Sequence, residues 1–195
     1  MILEANKLES QNIEEFEELL LEYNLLKAEC FMEIGSLYGW SLQHFIHYSK
    51  QNSTGVVIDL PVRNFVGEND HRVITQEFNY KHVWPKWAKE KNCKLYLIPD
   101  SSLKQSTFDK VKQILNDKLL DFLFIDGDHR YEAIKSDFEL YSPFVRKGGI
   151  IGFHDIGDNE EGGGKLFWDE IKIKYKYKEI LKDPNKEKGI GLLFI

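Results

Sequence analysis

The chain has 195 residues, which fits one domain, 1–195, and leaves little for a second. Hydrophobic residues are 42% and charged residues 30%, the balance of a globular domain that needs no disulfide or metal merely to fold. A net charge of -6 argues against a nucleic-acid partner, and no apolar run approaches a membrane span. The N-terminal residues lack a secretory pattern, so a cytoplasmic location is expected. Cys30 and Cys93 show no metal or redox spacing and are expected as reduced core residues.

Residues 1–28 form an N-terminal helical segment in this reading, with the helix over 11–28. There Ile13, Phe16, Leu19, Leu20, Tyr23 and Leu26 recur at helical spacing. The core, 29–195, opens with a buried strand, Cys30–Ile34, that stops at Gly35; a helix over 40–50 follows. Val56–Leu60 reads as a second strand closed by Pro61, and 62–80 as a long polar loop. A helix over 83–91 leads to a third strand, Leu95–Ile98. A helix over 107–116, a fourth strand at Phe122–Ile125, a helix over 131–141 and a fifth strand at 149–153 come next. Gly162–Gly164 precede a helix around Leu166–Ile171. Residues 171–178 alternate strictly and suit a half-exposed strand near a sheet edge, its lysines solvated and discouraging edge pairing. Residues 189–195 read as a final strand, expected to be antiparallel. Strands alternating with helices give an α/β class: a Rossmann-like, doubly wound, mostly parallel sheet with helices on both faces.

In such a sheet, ligands bind beyond the carboxyl ends of the strands. The five strand ends carry Glu33-Ile34-Gly35-Ser36-Leu37-Tyr38-Gly39-Trp40-Ser41, then Asp59, Asp100-Ser101, Asp126-Gly127-Asp128-His129, and His154-Asp155. The first is a glycine-rich turn, whose backbone can approach a ligand and whose helix N-terminus faces an anion. Its Gly-x-x-x-Gly spacing disfavours a nicotinamide dinucleotide. Asp59 lies where an acid can accept ribose hydroxyls. Ionisable groups collected in one cleft tend to be functional.

These motifs, with Tyr131 and Gly148-Gly149-Ile150-Ile151, resemble class I S-adenosylmethionine-dependent methyltransferases. The likeness is to the small-molecule O-methyltransferase branch: macrocin O-methyltransferase-like, catechol O-methyltransferase-like and cephalosporin hydroxylase-like proteins. It covers roughly residues 28–160. The resemblance implies that Glu33, Gly35 and Ser36 border the methionine part of the cofactor, with Gly39 and Ser41 shaping the same loop. Asp59 would hold the ribose, Asp100 and Ser101 the adenine, and Tyr38 and Leu60 would pack nearby. Asp126 would also border the cofactor. It further implies a magnesium or other divalent site at Asp126, His154 and Asp155. There the imidazole favours manganese, iron or zinc over magnesium. His129 would be the general base, with Asp126 as its catalytic companion. The acceptor would be a hydroxyl of a small molecule, its specificity lying in 1–28, 62–82 and 157–165. No nucleic-acid or membrane partner is expected, and a homodimer through the N-terminal helix stays open. The alternatives are a cephalosporin hydroxylase-like enzyme, a metal-free N-methyltransferase, or a non-catalytic cofactor-binding module.

Smaller features have plainer expectations. Asp128 is read as the cap of the helix beginning near Tyr131. His44 and His47 are read as packed or solvent-facing, and Asp70 and His71 as solvated loop residues. Trp84, Trp87 and Trp168 are read as core or lid residues.

Overall fold

A computed structural model describes residues 12–64, 66, 70–157, 162–182 and 188–195. The described strands are β1 (Cys30–Ile34), β2 (Thr54–Ile58), β3 (Lys94–Ile98), β4 (Leu120–Ile125), β5 (Val145–His154), β6 (Lys176–Ile180) and β7 (Ile190–Phe194). They form one sheet in the order β3-β2-β1-β4-β5-β7-β6. β1 to β5 pair in parallel, and β7 runs antiparallel between β5 and β6. The chain builds β1, β2 and β3 outward on one side, then crosses back to place β4 beside β1. That reversal is the switch point where such sheets open a crevice.

The helices are α1 (Ile13–Leu26), α2 (Trp40–Tyr48), α3 (His71–Phe78), α4 (Trp84–Lys91), α5 (Gln105–Leu115), α6 (Tyr131–Tyr141) and α7 (Gly163–Ile171). Helices cover both faces, so β1, β2 and β4 are buried at every residue and are mostly apolar, Glu33, Thr54 and Asp121 being their buried polar members. On one face Met32, Ile34, Leu123 and Ile125 pack with Phe138 of α6 and Phe167 of α7. On the other, Phe31, Phe122 and Phe124 pack with Phe16 and Tyr23 of α1 and Phe45 of α2. Tyr23 meets Phe122 edge-on at a centroid distance of 4.8 Å, and Phe45 meets it tilted at 5.0 Å. Cys30 and Cys93 are free and buried in these two cores. Trp84 and Trp168 are core residues, and His44 is fully buried with Nδ1 2.7 Å from the Trp40 carbonyl. Among the described residues no helix is long and apolar enough to cross a membrane.

Three sequence expectations need correction. Residues 62–80 are not one irregular loop: a short 3-10 turn at Val62–Asn64 is followed by α3 and a π turn at Asn79–Val83. Asp70 caps α3 by accepting the Arg72 N–H. The helix escapes a periodicity reading because Ile74 and Phe78 point to solvent while the polar Gln76 is buried. Residues 171–178 are not one strand, since α7 runs to Ile171 and a 3-10 turn fills Lys172–Lys174. β6 starts only at Lys176, although it is an edge strand as expected. Asp128 does not cap α6. The cap position is Arg130, and Asp128 makes a two-residue turn by accepting the Arg130 N–H at 3.0 Å, with its carboxylate on the Arg130 guanidinium.

At the opposite end of the strands, Asp121 ties three of them. Its Oδ2 accepts from the Glu29 and Cys30 backbone N–H groups at 2.6 and 2.9 Å, and its Oδ1 meets Arg146 Nε at 2.6 Å. Asp121→Ala leaves the buried Cys30 N–H and the part-buried Glu29 N–H without this acceptor and removes the carboxylate from Arg146. It should lower stability by about 3 kcal/mol in urea denaturation. A change below about 0.5 kcal/mol would show that this tie carries no weight.

Candidate active site

All five acidic or histidine-bearing segments leave the sheet at the carboxyl ends of β1 to β5. The Gly35 N–H donates to the Ile58 carbonyl at 2.9 Å, and the Asp126 N–H to the Ile34 carbonyl at 2.9 Å. Gly35 has φ +84°, and a Cβ there would lie 2.1 Å from the Asp126 carbonyl oxygen. Only glycine allows the two turns this approach.

Glu33 faces α2 and is fully buried. The hydroxyls of Ser36 and Ser41 both bond to its carboxyl group. Burial pushes the Glu33 carboxyl up to about 8; the serine hydroxyls oppose this, and the charges of Asp126 and Asp59 add to it. Ser36 and Ser41 are themselves buried, so this trio clasps the glycine-rich loop from inside. Leu37, in the middle of the loop, has φ +48°. That left-handed conformation is uncommon outside glycine and recurs at ligand sites.

Asp59 follows β2 and is buried. Its Oδ2 accepts from the Tyr80 hydroxyl at 2.8 Å and Gln76 Nε2 at 3.2 Å. Burial raises its carboxyl to about 6 against the pull of those donors. Asp100 follows β3, accepts the Ser101 N–H at 2.8 Å and pairs with Lys104 at 2.7 Å. The Lys104 ammonium holds its carboxyl below the usual range.

Asp126, His129, His154 and Asp155 come together at the ends of β4 and β5. His154 Nδ1 lies 3.1 Å from Asp126 Oδ1 and 3.2 Å from Asp155 Oδ1. These are close contacts without hydrogen-bond alignment, and neither ring nitrogen of the buried His154 has an aligned partner. Burial disfavours charge on this ring, but the two carboxylates outweigh burial and raise it to about 10. His129 Nε2 is 3.4 Å from Asp155 Oδ2 and 3.9 Å from Asp126 Oδ1, on a partly exposed side chain. Asp155 has φ +55°, a strained turn that folds its carboxylate back onto the cluster. One donor atom from each of Asp126, His154 and Asp155 falls within 4.8 Å of the others. Two carboxylates and a buried imidazole aimed between them suit a divalent cation.

The structure adds residues that sequence reasoning missed. Gly163 and Gly164 are not slack in a loop: a Cβ on Gly163 would lie 2.1 Å from the His129 carbonyl oxygen, and one on Gly164 2.2 Å from that of Asp155. The start of α7 thus rests on the turns after both β4 and β5. Asp137 is buried on the inner face of α6 beside Ser102, and burial pushes its carboxyl up to about 7. Tyr141 donates to the Ser102 carbonyl at 2.6 Å. The available signal was a lone carboxylate on the apolar stripe Ala133, Ile134, Phe138, Tyr141.

A family described as a methyltransferase domain matches residues 32–156, more than half of the chain. The chain belongs to this methyltransferase family. An uncharacterized protein of Acanthamoeba polyphaga mimivirus is 31% identical over 134 residues, covering 66% of this chain and 52% of that protein. The chain therefore spans about half the length of this curated relative. Among solved structures, an O-methyltransferase from Bacillus cereus in complex with S-adenosylhomocysteine is similar with a TM-score of 0.62. It is 15% identical, with 95% of this chain and 82% of that chain covered. The O-methyltransferase TomG from Streptomyces achromogenes, involved in tomaymycin synthesis and in complex with S-adenosylmethionine, gives 0.63 at 13% identity. There 95% of this chain and 81% of that chain are covered. At these identities the likeness is one of fold, and the methyltransferase fold is the one described above.

Glu33 generates a pH prediction. Its folded value of about 8 lies above the ordinary 4.5, so its contribution to stability is full below pH 4.5 and is lost as pH rises through 8. Glu33→Gln stays neutral and removes that loss. Relative to the parent, the variant should gain on the order of 3 kcal/mol between pH 5 and pH 9 in chemical denaturation. An equal difference from the parent at both pH values would contradict the buried, proton-holding Glu33.

Proposed function

We propose that this methyltransferase uses S-adenosylmethionine and a divalent cation to methylate a hydroxyl of a small molecule. One observation carries the reading: the backbone contact between Gly35 and Asp126 sets a glycine-rich loop against a cluster of two carboxylates and two imidazoles. In this reading Gly35, Ser36 and Gly39 shape the loop around the methionine part, with Glu33 and Ser41 bracing it. Asp59 takes the ribose hydroxyls, and Asp100 and Ser101 flank the adenine. The donor would supply an electrophilic methyl carbon on a sulfonium. Asp126, His154 and Asp155 would hold the cation, which lowers the pKa of an acceptor hydroxyl.

The chain's own residues account for the proton and the positioning. His129 Nε2 stands at the rim of the cluster, where an acceptor hydroxyl can give up its proton. Oxygen then bonds to the methyl carbon while the carbon–sulfur pair leaves with sulfur, and the proton stays on His129. Asp155 and Asp126 face that ring and stabilise the imidazolium as it forms. The loop and the cluster are held by separate strands of a rigid sheet, which fixes their relative placement before any ligand arrives.

The test uses methyl-labelled S-adenosylmethionine, a panel of hydroxylated small molecules, and calorimetry with S-adenosylhomocysteine. For an acceptor that the parent methylates, His129→Ala and Asp126→Ala should each reduce transfer by about 100-fold or more. Affinity for S-adenosylhomocysteine should stay within about threefold of the parent's, since neither residue is assigned to the ribose or adenine; that threefold is about 0.65 kcal/mol. Unimpaired transfer, or an equal loss of donor affinity, would place these residues in other roles.

A further inference from the structure

The arm made of α3, the π turn and α4 grips the donor side of the mouth at two points. The first is Asp59, whose Oδ2 takes both the Tyr80 hydroxyl and the Gln76 amide. Gln76 is itself fixed: its Oε1 accepts the Val62 N–H at 2.7 Å, which orients its Nε2 toward Asp59 and the Leu60 carbonyl. The second point is the Tyr38 carbonyl in the glycine-rich loop. Asn79 Nδ2 donates to it at 3.0 Å and Trp84 Nε1 at 3.2 Å. A Cβ on Gly39 would lie 2.2 Å from Trp84 Nε1, so the indole presses directly on the loop backbone. Tyr80 packs on Trp84 with ring centroids 4.6 Å apart, joining the two points.

The π turn explains how one arm does both. In an unbroken α-helix, residues 79 and 84 would be turned about 140° apart and could not share one acceptor. The wider i to i+5 turn over Asn79–Val83 brings them onto the same carbonyl. Such turns interrupt regular helix packing, and they recur at functional sites.

We propose that Tyr80 and Gln76 are positioning residues for the ribose of the donor, acting through Asp59. This rests on the reading of Asp59 as the ribose acceptor. Two arm donors on Oδ2, with the Ser36 and Leu37 backbone of the glycine-rich loop also hydrogen-bonded to the carboxylate, fix its rotamer. A carboxylate held in that way meets a ribose with its geometry already set, and loses that advantage when the arm donor is removed.

The experiment measures binding of S-adenosylhomocysteine and of its 2′,3′-dideoxy analogue, which has no ribose hydroxyls, to the full chain. Tyr80→Phe keeps the ring against Trp84 and removes only the hydroxyl. It should weaken S-adenosylhomocysteine about tenfold and the dideoxy analogue less than twofold. In an Asp59→Ala background, which has no acceptor for the Tyr80 hydroxyl, the same change should cost nothing further, and Gln76→Ala should repeat the pattern in the parent. Equal weakening of both ligands would mean general damage to the fold and overturn the proposal. So would an unchanged affinity for S-adenosylhomocysteine. Failure of the unsubstituted chain to bind S-adenosylhomocysteine would instead remove the underlying donor reading, a result separable from either of these.

Discussion

The place where the backbone of Gly35 meets the backbone of Asp126 governs the rest of the molecule. There the turn after β1 and the turn after β4 come within contact distance, and no side chain fits between them. The contact exists because the chain returns from β3 to lay β4 beside β1. The reversal leaves the two strand ends adjacent while their loops lead to helices on opposite faces of the sheet, α2 on one and α6 on the other. A glycine in the left-handed region lets one loop sit on the other. Everything chemical in the mouth follows from that proximity: the loop with its positive φ at Leu37 on one side, the imidazole and carboxylate cluster on the other.

Holding ionisable groups this close is costly, and the fold meets the cost in two ways. Glu33 is buried with two serine hydroxyls on its oxygens, and its burial favours the neutral acid. Asp126 and Asp155 share the imidazole of His154 between them. The aromatic packing of Phe31, Phe45, Phe122 and Phe124 beneath α2 supplies apolar burial on the face from which Glu33 projects. α7 then closes against the mouth, with Gly163 and Gly164 resting on the backbone of His129 and Asp155. A methyl group at either glycine would meet the backbone of the turns after β4 and β5 before it touched any side chain.

Much of this was legible in the residues, for a physical reason. Strands buried on both faces read as short, mostly apolar runs, and each run here ends at or beside a glycine, acid or histidine at the mouth: Gly35, Asp59, Asp100, Asp126 and His154. The parallel sheet and its mouth follow from that punctuation. Of the arm, α4 was legible as the helix over 83–91, but residues 70–83 were not. Its inward positions include Gln76, Asn79 and Tyr80, its outward ones Ile74 and Phe78, and the π turn breaks the 3.6-residue period midway. The partners of Asp59 were hidden for a related reason. Tyr80 and Gln76 are 21 and 17 residues away in sequence and meet it only through the tertiary fold. Asp128 was read as a cap from its place before a helix, when its carboxylate instead makes a turn with Arg130, two residues on.

The central claim is that the ends of β1, β2 and β3 form one donor site, set against the acid and histidine cluster. Amide hydrogen exchange with and without saturating S-adenosylhomocysteine tests it most directly. Peptides covering Gly35–Ser41, Asp59–Val62 and Asp100–Leu103 should gain protection together, while the β6 edge stays unchanged. No added protection, or protection confined to a surface away from these three strand ends, would contradict the account.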